Sequence, residues 1–248
     1  MCGRFAQADG GKGLMEHLGI VDTACATPAR YNIAPSQQAV VIRHLSQQKT
    51  PSASLLRWGF MPHWTPNPPF GAPLINARSE TVTEKPSFRD AFIHRRCLIP
   101  TNGFYEWRGK GRDKQPFFIG MADGQSFAMG GLWEAWHAPE ETSIETFTLV
   151  TTQANACVAP IHNRMPVIVA REHYATWLNM EAAVPVCSMA AILAPFPALR
   201  MVSHPVSDRV NSPSHDSASC MQPVAVQKSL WENDSAMQTM HPDHENSK

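Results

Sequence analysis

The chain has 248 residues, of which 43% are hydrophobic and 17% are charged, and its 21 basic residues balance 21 acidic ones. This length fits one large domain or two small ones, and the apolar content excludes a chain that is disordered throughout. The charge is uneven, because residues 1–114 hold 15 Lys and Arg against 8 Asp and Glu. A basic half is one sign of a surface that faces a polyanion, although folding can intermix the two halves.

Membrane-spanning and secretory segments are not predicted. No run of about 18 apolar residues occurs, and the N-terminus has neither a basic leader nor an apolar stretch. We therefore expect a cytoplasmic protein with no membrane partner.

Strands dominate the predicted elements. Runs rich in β-branched and aromatic residues predict strands at 39–44, 55–60, 116–120, 127–133, 146–151 and 166–170. Helical spacing or composition predicts helices at 13–18, 87–93, 171–178 and 187–193. Because strands outnumber helices and the two types do not alternate strictly, we predict an α+β fold with a largely antiparallel sheet.

The C-terminal residues differ in composition from the rest of the chain. We find no internal repeat and no domain boundary in residues 1–224, which we predict to form one domain. Residues 225–248 are polar and aperiodic, and we predict that they form a disordered tail. The tail contains His241 and His244, but a histidine pair in a polar tail seldom binds a metal.

Cys2 is the most unusual residue of the sequence. The other five cysteines form no CxxC pair and are expected to be small core residues, whereas a residue at the terminus is expected to be exposed and poorly packed. If Met1 is removed, Cys2 carries an α-amine and a thiol on adjacent carbons. Such a 1,2-aminothiol condenses with an aldehyde to an imine and then closes a five-membered thiazolidine ring. The alternative is that Cys2 follows the start codon by chance.

Two residues are candidate acids or bases. Glu106 lies among aromatic residues in a strand-like stretch, where an apolar setting would raise the pKa of its carboxyl group. A strand glutamate that faces water is an equal alternative. His162 lies in a loop that enters an apolar strand, where an imidazole can act as general acid or base. A lone histidine is more often only hydrogen-bonded.

Two further segments carry groups that suit nucleic acid. Asn76 and Arg78 are two residues apart, and they share a face if this stretch is extended. The arginine fork suits phosphate oxygens, but a local ion pair between Arg78 and Glu80 is the simpler interpretation. Aromatic and apolar residues cluster beside Arg57 and His63, where they could stack on unpaired bases or form a lid over the core. This cluster comprises Trp58, Met61, Trp64, Pro66, Pro68, Pro69 and Phe70.

Other chemistries are disfavoured by spacing. The sequence contains no Walker motif, no GxGxxG, no GxSxG and no HExxH, and its His and Cys residues show no paired zinc spacing. We expect neither a nucleotide cofactor nor a metal site.

The ordered set of motifs resembles the SRAP family (SOS-response-associated peptidase). The resemblance extends from residue 1 to about 224 and rests on the segments MCGRF at 1–5, YNIAP at 31–35, RWGF at 57–60, NARSET at 76–81, RCLIP at 96–100, GFYEW at 103–107, KQP at 114–116, HNRMP at 162–166 and HPVS at 204–207. It implies a single domain with β-barrel-like, largely antiparallel sheets and peripheral helices. It further implies self-removal of Met1 and a role in the DNA damage response, through covalent capture of abasic sites in single-stranded DNA.

The resemblance also assigns roles to residues. It makes Cys2 the nucleophile, Asn76 the orienting residue, Glu106 the proton-handling group at the α-amine, and His162 the group that assists sugar-ring opening and reversal. It places seven residues at the DNA, namely Arg4, Asn32, Trp58, Trp64, Arg78, Trp107 and Arg164. The implied protein is a monomer that acts as a thiol autopeptidase with abasic-site crosslinking and lyase-type activity. A cysteine peptidase acting on other peptides and a non-covalent single-strand binder are the alternatives.

Overall fold

Strands form most of the structure. The computed structural model describes residues 2–20, 25, 27–45, 48, 50–65, 74–109, 111, 114–137, 143–179 and 186–225. Within these ranges there are thirteen strands, four α-helices and several short 3-10 helices. The strands are β1 (Arg4–Gln7), β2 (Arg30–Ile33), β3 (Gln38–Arg43), β4 (Ser52–Trp58), β5 (Asn76–Arg78), β6 (Arg96–Thr101), β7 (Gly103–Arg108), β8 (Gln115–Met121), β9 (Phe127–His137), β10 (Ser143–Gln153), β11 (Arg164–Pro166), β12 (Ile168–Val169) and β13 (Met201–Pro205). The α-helices are α1 (Lys12–His17), α2 (Arg89–His94), α3 (Tyr174–Leu178) and α4 (Val186–Leu193).

Five strands close into a barrel. β3 pairs with β4 and β6, β6 pairs with β9, β9 pairs with β10, and β10 returns to β4. All of these pairings are antiparallel except that of β10 with β4. Closure removes the free edges of the central strands, because each strand has a partner on both sides.

A second sheet covers one side of this barrel. It has the order β13-β8-β7-β1-β2, and all of its pairings are antiparallel. The side chains of β3 are buried on both faces of the barrel wall. Val40 and Ile42 belong to one buried cluster with residues of the helices, whereas Ala39 and Val41 belong to another with residues of the second sheet. A strand buried on both faces has no polar alternation, which is why this run reads as continuously apolar.

β10 positions the strands of the candidate site, because it pairs with different strands along its length. On one edge it pairs in parallel first with β4 and then with β5, where Leu149 lies opposite Asn76 and Thr151 opposite Arg78. On the other edge it pairs with β9 and then with β11, where Gln153 lies opposite Arg164. The end of β10 therefore lies between the strands that carry the Asn76 and Arg164 motifs.

The predicted α+β class with largely antiparallel, barrel-like sheets is confirmed. Each predicted helix overlaps an observed helix, but the predicted strand 166–170 is wrong as one element, since β11 ends at Pro166 and β12 begins at Ile168. The predicted 225–248 tail lies outside the described residues from 226 onward. No helix in the described part of the chain is long and apolar enough to span a membrane.

Candidate active site

Cys2 lies directly before β1 and is completely buried, so the expectation of an exposed terminal side chain is wrong. It packs in the apolar cluster between the second sheet and the barrel. Its carbonyl oxygen accepts a hydrogen bond of 2.9 Å from Nδ2 of Asn76, and its thiol lies 3.7 Å from the carbonyl oxygen of Arg4. β1 pairs on both edges, and this pairing draws the start of the chain into the interior.

Glu106 reaches the same cluster from β7. β7 pairs with β1 so that Tyr105 lies opposite Arg4, and continuing this register places Glu106 beside Gly3. The Glu106 side chain is buried, at 3% exposure. Burial raises the pKa of its carboxyl group. An apolar setting is thus observed for Glu106, as the flanking aromatic residues predicted.

The thiol of Cys2 is held in its protonated form by the site. Burial raises the pKa of the thiol, and the negative charge of Glu106 raises it further. A buried thiol next to a carboxylate does not ionise by itself, because a second negative charge in a dry cluster is unfavourable. Any reaction of Cys2 as a nucleophile therefore requires that its proton leave together with attack.

His162 lies near the end of the loop of residues 154–163 and is half-buried. The loop is fixed by Asn155, whose Oδ1 accepts from the backbone N–H groups of Cys157 and Val158 at 3.0 and 3.1 Å. Nδ1 of His162 accepts from the backbone N–H of Arg164 at 3.0 Å. The loop holds the imidazole near Glu106, because His162 acts electrostatically on the Glu106 carboxyl group.

Asn76 connects the barrel to the start of the chain. It begins β5, which is extended as the sequence required, and its Nδ2 holds the Cys2 carbonyl group. Its buried Oδ1 has no hydrogen-bond partner among the described residues. The structure thus brings together all four residues predicted to be catalytic: Asn76 contacts Cys2, Cys2 interacts with Glu106, and Glu106 interacts with His162.

Arg4 and Asn32, both predicted to contact DNA, are engaged inside the protein. Arg4 donates to the carbonyl oxygens of Val210 and Asn211 at 2.6 and 3.0 Å and to Oδ1 of Asn32 at 2.9 Å. Asn32 is fully buried, and its Nδ2 lies within 3.1 Å of three carbonyl oxygens in the segment 210–215. Both residues hold the segment 208–216 against β1 and β2. The assignment of the fully buried Asn32 to DNA is corrected to this internal role, whereas Arg4 is half-buried and its contact with DNA stays a prediction.

The three tryptophans predicted to lie near bases occupy different environments. Trp58 is fully buried and packs edge-on against Phe5 with ring centroids 5.1 Å apart, so its assignment to DNA is corrected to the core. Trp64 is exposed over 57% of its surface. Trp107 is half-buried and donates from Nε1 to Oδ1 of Asn211 at 2.7 Å. Of the three, Trp64 has the most accessible ring.

The two remaining arginines also differ. Glu80 forms a two-pronged ion pair with Arg164 rather than the predicted pair with Arg78, at 2.5 and 2.9 Å. The guanidinium of Arg164 holds the pKa of the Glu80 carboxyl group below its usual range. Arg78 is exposed, and the described part of the chain gives it no ion pair. Arg78 therefore keeps its guanidinium available to a ligand.

One group of potential metal ligands occurs among the described residues, and it does not include Cys2. The ligand atoms of His63, Asp90 and Glu134 lie within 4.8 Å of one another. Nη2 of Arg95 donates to both carboxylates, at 2.9 Å to Glu134. A guanidinium thus already supplies the positive charge that these two carboxylates require.

Sequence reasoning missed the residues that support the site from outside it. Asp216 accepts from the backbone N–H of Asn32 at 2.9 Å and pairs with Arg30, so it anchors the segment 208–216. Thr151 accepts from Arg164 at 2.6 Å through its carbonyl oxygen. These contacts join residues far apart in sequence, and no local spacing indicates them.

Comparisons with known proteins agree on one family. The model of the family described as SOS response associated peptidase (SRAP) matches residues 1–213. The abasic site processing protein YoqW of Bacillus subtilis (strain 168) is 37% identical over 221 residues, which cover 88% of this chain and 97% of that protein. The abasic site processing protein YedK of Escherichia coli (strain K12) is 32% identical and is covered completely, with 90% of this chain matched. A crystal structure of a protein from Bacteroides thetaiotaomicron superposes with a TM-score of 0.68 at 26% identity, covering 79% of this chain and 85% of that one.

Proposed function

Because the chain belongs to the SRAP family, as the match over residues 1–213 establishes, we propose that it captures abasic sites in single-stranded DNA covalently. The relatives named above are abasic site processing proteins. The observation that carries the proposal is the buried contact set around Cys2. Its carbonyl oxygen is bound by Asn76, and its thiol interacts with the Glu106 carboxylate.

The proposed reaction uses both functional groups of an N-terminal cysteine. Hydrolysis of the Met1–Cys2 peptide bond consumes one water and frees the α-amine of Cys2. The amine adds to the aldehyde of the ring-opened deoxyribose, and loss of water gives an imine. The thiol then adds to the imine carbon, forming the C–S bond, and its proton passes to the nitrogen. The product is a thiazolidine, and the overall condensation releases one water.

Glu106 suits the proton transfers of the proposed reaction. A carboxyl group whose pKa is raised by burial exchanges protons closer to neutral pH than an exposed one. The protonated thiol of Cys2 can transfer its proton as the sulfur attacks, with Glu106 as the neighbouring acceptor. His162 interacts with the same carboxyl group, and we assign to it the opening and closing of the sugar ring. The lyase-type activity would follow from the imine intermediate.

Binding of the DNA is assigned to the exposed side of the site. Arg78 offers a guanidinium to phosphate, and Trp64 offers a ring on which an unpaired base can stack. Trp107 and Arg164 are less available to DNA than Arg78 and Trp64, because each is partly buried and already hydrogen-bonded. We propose that the protein acts as a monomer in the cytoplasm.

A denaturing gel tests the proposal. The protein is mixed with a single-stranded oligonucleotide that carries one abasic site, with half of the oligonucleotide reduced by borohydride beforehand. We expect a covalent band with the aldehyde and none with the reduced alcohol. A covalent band of equal intensity from both samples would defeat the aldehyde chemistry. Binding without any covalent band would indicate a non-covalent single-strand binder, and turnover of peptides added in trans would favour the peptidase.

A further inference from the structure

The guanidinium of Arg164 joins three strands at the end of the barrel. Nη1 and Nη2 donate to the two carboxylate oxygens of Glu80, and Nη2 also donates to the carbonyl oxygen of Thr151 at 2.6 Å. Glu80 follows β5, whereas Thr151 lies on β10 between β5 and β11. The Arg164 side chain is mostly buried, at 14% exposure, so its direction is set by these acceptors.

The backbone of the same residue contacts the imidazole of His162. The N–H group of Arg164 donates to Nδ1 at 3.0 Å, whereas the carbonyl oxygen of Arg164 lies 3.3 Å from Nδ1. An N–H group cannot accept, so the shorter contact requires an unprotonated Nδ1 and, in the neutral ring, a proton on Nε2. The longer contact requires the opposite tautomer. The shorter contact with the Arg164 backbone therefore favours the tautomer that carries its proton on Nε2.

We infer that Glu80 is a positioning residue, which acts through Arg164 to hold His162 in the tautomer that carries its proton on Nε2. The ion pair fixes the side chain of Arg164 on Thr151, and this anchor fixes the start of β11, where the donating N–H group lies. Without the carboxylate, the anchor loses its two strongest hydrogen bonds, since charge-assisted pairs of this kind are stronger than neutral ones. The backbone can then shift until the carbonyl contact with Nδ1 competes.

The tautomer matters for the proposed function, on which this last step rests. An imidazole with its proton on Nε2 donates a hydrogen bond from that atom and cannot accept one there. Such a donor matches an oxygen that gains negative charge, such as the ring oxygen of the deoxyribose as it opens. The opposite tautomer would present a lone pair to the same oxygen and repel it. Glu80 thus controls whether His162 stabilises or opposes ring opening.

Nitrogen NMR of protein labelled with 15N-histidine tests the inference directly. The His162 signals are identified as those missing from the His162→Ala spectrum, and long-range proton–nitrogen correlations distinguish protonated from bare ring nitrogens. We expect wild type to show a bare Nδ1 and a protonated Nε2. In Glu80→Ala we expect the opposite tautomer to be populated and adduct formation to slow by up to about 100-fold. Glu80→Asp should restore both readouts in part, and Glu80→Gln serves if the alanine variant does not fold.

Glu145→Ala is the matched control. Glu145 forms the same type of two-pronged ion pair, with Arg43 at 2.6 and 2.7 Å, and lies on β10 six residues before Thr151, or roughly 20 Å away. This variant should leave the His162 signals and the rate unchanged. A wild-type tautomer signature in the folded Glu80 variants, or a protonated Nδ1 in wild type, overturns the inference. Because the NMR readout needs no DNA, it decides the inference even if wild type forms no adduct.

Discussion

Polar groups serve different purposes in the interior of the site and in the two exposed residues proposed to bind DNA, Trp64 and Arg78, which we call the rim. In the interior, Cys2 and Glu106 are buried, and each interacts with a neighbour that controls its orientation or proton. On the rim, Trp64 is exposed over 57% of its surface and Arg78 has no ion pair among the described residues. The interior is therefore suited to proton transfer between buried groups, and the rim to reversible contact with a polyanion.

Arg4 and Asn32 show that residue type does not decide which of the two regions a residue belongs to. Both were expected at the DNA, yet they hold the carbonyl groups of the segment 208–216. This segment contributes Asn211, which binds the indole N–H of Trp107. The interior is thus built partly from polar residues that a sequence pattern assigns to the rim.

Replacement of Cys2 gives the largest expected effect. Cys2→Ala should abolish the stable thiazolidine adduct, because ring closure on the imine carbon requires the sulfur of Cys2. Reversible binding to single-stranded DNA should persist, since the exposed residues remain. A denaturing gel and a native binding assay measure the two properties side by side. Cys97→Ala, which removes an equally buried thiol from the same apolar cluster, is the control and should still crosslink.

Glu106→Gln should slow both removal of Met1 and adduct formation by roughly 10²–10⁴-fold, the usual contribution of a general acid or base. The amide keeps the shape of the side chain but cannot exchange a proton. Intact mass spectrometry follows Met1, and a timed denaturing gel follows the adduct. Glu134→Gln alters another buried glutamate and should change neither rate. Wild-type rates in Glu106→Gln would remove Glu106 from the reaction.

Asn32→Ala should lower stability rather than affinity. The variant removes one donor from three carbonyl oxygens of the segment 208–216 and one acceptor from Arg4, at a cost of about 1–3 kcal/mol. Thermal unfolding measures the loss. Asn32→Asp should destabilise at least as much, because a carboxylate would then face the carbonyl oxygens. An unchanged melting temperature together with weaker DNA binding would instead indicate that Asn32 contacts DNA.

The buried carboxyl group also predicts how stability changes with pH. Since the pKa of Glu106 is raised in the folded protein, the folded state binds the proton more tightly than the unfolded state does. The stabilisation is present below the ordinary pKa of a glutamate and is lost as pH rises through the raised pKa of Glu106. The loss is about 1.4 kcal/mol for every tenfold difference between the acid dissociation constants of the two states. The melting temperature of Glu106→Gln should therefore increase relative to wild type between pH 4 and pH 7. A constant difference would contradict the raised pKa.

Sequence alone predicted the class of fold and named the four residues that the structure brings together, because both leave local signals; the catalytic roles of these four residues stay predictions. Val40, Val41 and Ile42 predict a buried strand by composition, and the motifs around Cys2, Glu106 and His162 carry the family resemblance. It did not predict that Cys2 is buried, because the burial follows from pairing of β1 with strands that begin 26 and 99 residues later along the chain. The same holds for the partner of Glu80, which lies 84 residues away.

Arg78→Ala gives the smallest expected effect and the sharpest test of the rim. If Arg78 binds one phosphate, its loss should weaken affinity for single-stranded DNA a few-fold and reduce the salt slope of the logarithm of affinity by about 0.7. Trp64→Ala provides the contrast: it should cost about 1–3 kcal/mol of binding free energy with the salt slope unchanged, because stacking releases no counterion. Arg89→Ala, which removes an exposed arginine at the start of α2, is the control. Fluorescence anisotropy at several salt concentrations measures all three variants. Equal slopes for Arg78→Ala and wild type would place Arg78 outside the phosphate path.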